Sequence, residues 1–102
     1  MNGKLVRDNI PNIIAAETGK SATVKILTDQ DYLDSLHAKL DEEVAEFHES
    51  GDIEELVDVY EVVLALAALK DTTPGQLRMR AEAKREIRGS FRNRYFLVQE
   101  DT

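Results

Sequence analysis

The sequence predicts a mainly α-helical domain built on a helical hairpin, with a short two-stranded extension. Three observations predict it. Between Asp31 and Glu49 the apolar residues Leu33, Leu36, Leu40, Val44 and Phe47 recur three and four apart, the spacing of one helix face. From Leu56 to Leu69 the only charged residues are Asp58 and Glu61, so a second helix reads as apolar on nearly every side. Gly51-Asp52 stands between the two patterns, a helix stop followed by a helix cap. At 102 residues the chain fits one domain, 1–102, and is too short for two independent cores.

The elements follow in order. In "NIPNIIAAE", 9–17, Pro11 opens a short helix and Gly19 ends it. "SATVKIL", 21–27, is β-branched with loose alternation and reads as a short strand or extended arm. The amphipathic helix from Asp31 to Glu49 stops at Gly51. Asp52 caps the next helix, with Glu55 three residues on as its capping-box partner. "TTPGQ", 72–76, supplies a cap at Thr73, Pro74 in the first turn and Gln76 at the box position, opening a third long helix that Gly89 ends near Arg88. "YFLVQ", 95–99, is a second short strand candidate, a possible partner for "TVKIL".

Composition narrows the function classes. No cysteine is present, which removes thiolate metal sites, disulfide scaffolds and a cysteine nucleophile. The start has no apolar run with a cleavage site, and the longest apolar run, Val62 to Leu69, is far short of a membrane span. A cytoplasmic protein is expected. The net charge of −7 opposes non-specific binding to nucleic acid or to an anionic membrane. Charge is unevenly distributed, however. Residues 78–94 carry seven basic side chains against Glu82 and Glu86, a +5 segment on a body of −12. An acidic body with a basic C-terminal third can hold a metal and a polyanion together. A solvated basic helix paired with an acidic one explains the same charges.

The acids carry the most specific signal. Glu43 lies roughly 60° from the centre of the first apolar stripe, and Glu46 further round on the same side. Glu43 and Glu46 are i,i+3 neighbours, and Glu55 and Asp58 repeat that spacing on the next helix. A short link folds the helices back on each other, so the two pairs can face across the hairpin. Four facing carboxylates repel and raise one another's pKa values. A hard divalent cation such as Mg2+ or Mn2+ removes that difficulty with oxygen ligands alone. The competing reading pairs Asp58 and Glu61 with arginines of the third helix and leaves the other acids as surface charge. His37 and His48 lack the Glu-x-x-His spacing of a di-iron bundle, and no Gly-rich phosphate loop is present.

"EEVAE" followed by "EELVD" resembles the E-E-x-x-E … E-x-x-D signature of the all-α nucleoside triphosphate pyrophosphohydrolases, a superfamily that includes MazG, all-α dUTPases and phosphoribosyl-ATP pyrophosphohydrolase. "KLVRDNIP" at 4–11 and "KREIRGSFRNRYFL" at 84–97 extend the resemblance to small MazG-like house-cleaning proteins over nearly the whole chain. Eight residues separate Glu46 from Glu55, fewer than in a typical MazG domain, and Asn9 stands where a lysine is expected. The resemblance implies an all-α MazG-like bundle that hydrolyses a nucleoside triphosphate, or a related phosphoribosyl nucleotide, to monophosphate and pyrophosphate. It implies Glu43, Glu46, Glu55 and Asp58 as Mg2+ ligands at the catalytic centre, and an outer role for Glu42. Arg7, Lys84, Arg85 and Arg88 are the candidates to bind the phosphate tail, because guanidinium and ammonium groups match phosphate oxygens; Lys4, Arg92 and Arg94 are weaker ones. The nearly all-apolar second helix calls for a homodimer or higher homo-oligomer. The alternative is a non-catalytic nucleotide-binding regulator or helical interaction module of the same fold.

Overall fold

The computed structural model describes residues 3–98 and contains four helices in the order α1 (Ile10–Thr18), α2 (Asp29–Ser50), α3 (Ile53–Ala68) and α4 (Pro74–Arg88). Pro11 lies in the first turn of α1, where its missing N–H is not needed, and Gly19 ends the helix at φ 72°. α2 begins two residues earlier than the apolar pattern suggests. The reason is Thr28, whose hydroxyl accepts from the Asp31 N–H at 3.2 Å and caps the helix. Gly51 closes α2 at φ 66°, a left-handed conformation costly for residues with a Cβ, and its N–H reaches the Phe47 carbonyl.

Asp52 caps α3 by accepting from the Glu54 N–H at 3.3 Å. The expected box partner, Glu55, does not close the reciprocal bond; its carboxylate turns instead toward Glu43 and Asp58. At α4 the box forms on both sides: Gln76 Oε1 accepts from the Thr73 N–H at 2.9 Å, and Thr73 Oγ1 accepts from the Gln76 N–H at 3.2 Å.

α2 and α3 form a packed hairpin around buried Leu36 and Val62. α4 packs against α3 alone, and α1 against none of the other three helices. Two expectations change here. Glu43, only 6% exposed, occupies the inward face of α2, whereas Val44 is 37% exposed. The face that meets α3 therefore runs through Leu36, Leu40, Glu43 and Phe47, and the apolar stripe is rotated toward the acid. Glu61, read as lying inside α3, is exposed, because it sits on the side turned away from α2.

Among the described residues there is no strand. Residues 21–27 and 95–98 form no helix or strand; Gln99 of the second predicted strand lies outside the described residues. An isolated two-stranded ribbon is marginal in water, and α4 makes no contact with α1 or α2 that would bring the two segments together.

Candidate functional site: an acidic cluster in the hairpin

The hairpin puts the acids on facing helices. Glu43 stands eight residues before Gly51, about 12 Å down the axis of α2; Glu55 and Asp58 stand about 5 and 9 Å up α3 from Asp52. The side chains cover the remaining offset, so that one carboxylate oxygen from each of Glu43, Glu55 and Asp58 lies within 4.8 Å of the others. Glu46 is half-buried and falls outside this group of three, though its charge reaches Glu43. Of the four acids singled out in the sequence, three converge and the fourth flanks them.

Electrostatics makes Glu43 the unusual member. Burial, reinforced by the negative charge of Glu46, pushes its carboxyl above the ordinary glutamate value; Lys39 opposes the rise, and Asp58 adds to it. Lys39 Nζ lies 3.4 Å from Glu43 Oε1 and 3.7 Å from Glu42 Oε2. The other oxygen, Glu43 Oε2, is buried with no hydrogen-bond partner. Leaving a charged acceptor unsatisfied costs more than leaving a neutral one, so a proton or a cation at this carboxylate would relieve the cost.

Asp58 is differently placed. Arg7 reaches across from the N-terminal segment, and its Nη2 donates to Asp58 Oδ1 at 2.8 Å. The competing reading pairs Asp58 with arginines of the third long helix, yet the arginine that pairs precedes the first helix. Lys84, Arg85 and Arg88 are exposed on α4 and make no ion pair among the described residues. α4 does not touch α2, so these basic residues do not join the acids along that helix.

The donor set suits a hard divalent cation. All donors are carboxylate oxygens, and neighbouring oxygens around an octahedral magnesium ion stand about 3.0 Å apart, opposite ones about 4.2 Å. Three oxygens within 4.8 Å of one another are near enough to be drawn together by side-chain rotation onto one ion. Sequence reasoning missed Lys39, although its spacing to Glu43 is the i,i+4 pattern of a helical ion pair. It also gave no sign that Arg7 would meet Asp58, since 51 residues separate them.

An all-α protein with an acidic cluster across a helical hairpin is the class these features define. The chain is 51% identical over 43 residues to a Mycolicibacterium smegmatis protein described as uncharacterized; the match covers 42% of this chain and 43% of that protein. It thus spans less than half of that relative's length. No family model matches the chain, and no solved structure matches it.

Proposed function

We propose that the protein is a metal-dependent nucleoside triphosphate pyrophosphohydrolase. It cleaves a nucleoside triphosphate, or a related phosphoribosyl nucleotide, between the α and β phosphates and releases monophosphate and pyrophosphate. The observation that carries the reading is Glu43 Oε2, a buried and unpartnered carboxylate oxygen whose residue converges with Glu55 and Asp58. The resemblance of the "EEVAE" and "EELVD" blocks to MazG-like proteins supports the same assignment and suggests removal of altered nucleotides in the cytoplasm.

Glu43, Glu55 and Asp58 would hold Mg2+, or Mn2+, with Glu46 beside them as a fourth ligand or as the group that orients the attacking water. When bound, such an ion supplies polarisation of phosphoryl oxygens and a lowered pKa for water. Glu46 is suited to receive the water proton, because it is half-buried and flanks the cluster. Arg7, Lys84, Arg85 and Arg88 neutralise the phosphate tail. Arg7 stands at the cluster already, whereas the α4 residues reach it only from a second copy or after a movement of α4.

A homo-oligomer accounts for the surface. Ile53, Leu56, Val57 and Tyr60 form an exposed apolar stripe on α3 at i, i+3, i+4 and i+7, opposite the face that meets α2. No helix among the described residues is long and apolar enough to cross a membrane, so a lipid-spanning role does not explain that stripe.

A second reading, a non-catalytic helical module, draws on the same stripe and on the neutralisation of Glu43 by Lys39 and Asp58 by Arg7. Product analysis with a panel of ribo-, deoxy- and altered nucleoside triphosphates separates the two. Magnesium should yield monophosphate and pyrophosphate, and a chelator should abolish both. Diphosphate with orthophosphate rules out the assigned bond, and no turnover on any member of the panel favours the module.

A further inference from the structure

The N-terminal segment is tied to the hairpin by a single polar side-chain contact. Among the described residues, every other side-chain hydrogen bond or ion pair joins residues within four positions of each other; Arg7 to Asp58 alone spans 51. The helix that follows, α1, packs against no other helix. The pair is also accessible, with the Arg7 side chain 53% and the Asp58 side chain 40% exposed. Arg7 further lines a groove of about 860 Å³ between residues 3–8, α1 and residues 22–27, where Lys4 and Lys25 are the other basic residues.

We infer that Arg7 is an exchanging cation: it neutralises Asp58 while no metal is bound, and turns to a phosphate group of the ligand once a metal ion takes the carboxylates. This rests on the cation-site reading proposed above. The cluster is more than a group of acids, because Glu43, one of its three members, is itself buried and keeps one carboxylate oxygen without a hydrogen-bond partner. Asp58 cannot give full charge both to Arg7 and to a divalent ion, so the two cations compete for it. An ion pair this exposed is weak, which makes it displaceable. A guanidinium released beside a metal-bound carboxylate cluster is repelled by the ion and drawn to a di- or triphosphate, whose oxygens its planar fork matches. Arg7 therefore opposes metal binding when no anion is present and favours anion binding when metal is. A purely structural tie would do neither.

The test measures binding in the full chain, with manganese as the metal probe and inorganic pyrophosphate as the anion probe. Free manganese is followed by electron paramagnetic resonance in wild type, Arg7→Gln and Arg7→Lys, with helical content checked by circular dichroism. Arg7→Gln should bind manganese about two- to fivefold more tightly than wild type, with Arg7→Lys between them. At saturating manganese, Arg7→Gln should bind pyrophosphate about tenfold more weakly. The Arg7 side-chain N–H resonances of wild type keep the inference exposed even if the variants misfold: magnesium should shift them toward those of a free guanidinium, and added pyrophosphate should move them again. Manganese binding that is unchanged or weaker in Arg7→Gln, unaltered pyrophosphate affinity, or Arg7 resonances that magnesium leaves unmoved each overturns the exchange. Manganese uptake by wild type that ignores Arg7 leaves the cation site standing, whereas no uptake by wild type removes the site and the exchange together.

Discussion

At Glu43, burial and the charge of Glu46 act in the same direction, and Lys39 meets only one of the two oxygens. A carboxyl whose folded-state pKa is raised binds more protons folded than unfolded between the two values. Its contribution to stability is therefore full below the unfolded value, about 4.3, and is lost as pH rises through the folded one. In chelator, the wild-type protein should lose stability across that window, and Glu43→Gln should lack this part of the slope. Above the window the variant should be equal to or more stable than wild type, by less than about 2 kcal/mol. Chemical denaturation at a series of pH values measures both. A variant markedly less stable at neutral pH, in chelator, would make Glu43 a structural ion-pair partner of Lys39. Asp58 obeys a different rule, because its contact with Arg7 is half exposed. Removing that charge should cost no more than about 1 kcal/mol without metal.

Between elements, legibility followed the range of the interaction. Helix ends were readable where one residue sets them: Gly19 and Gly51 adopt the left-handed conformation the pattern required, and Thr73 with Gln76 closes its box. Thr28 was missed because the apolar repeat starts at Leu33, several residues inside the helix it caps. The facing of α2 and α3 was readable from the short Gly51-Asp52 link, and so were three of the acids that converge. Which acid would be central was not. Glu43 lay beside the predicted stripe, and only packing against α3 turned it inward in place of Val44. The box between Asp52 and Glu55 failed for a related reason, since the Glu55 side chain has a second destination across the hairpin. The strands at 21–27 and 95–99 were drawn from β-branched composition, a weak signal without a neighbour to pair with. Arg7 had no local partner to reveal it.

The whole molecule exposes more surface than a compact domain of its size. Its radius of gyration is 18.3 Å, against about 13 Å for a compact domain of 100 residues. Its accessible surface is 9503 Å², against roughly 5,800 Å² for a compact monomer of this mass. The excess, about 3,700 Å² on one chain, is larger than the roughly 1,000–2,500 Å² that each partner of an obligate homodimer buries, so an interface would cover part of it. Sedimentation over a range of concentrations should find a dimer or larger species, and Leu56→Glu should weaken association at least tenfold by placing a charge in the α3 stripe. A wild-type monomer that unfolds cooperatively at every concentration would show that the stripe needs no partner. Calorimetric titration of magnesium into wild type and Glu43→Gln decides the proposal that the acids of the hairpin hold a divalent cation. Saturable binding to wild type is expected, with a loss of at least about tenfold in affinity for the variant, whose helical content is unchanged. Equal magnesium binding by the two proteins, or none by wild type, would contradict it.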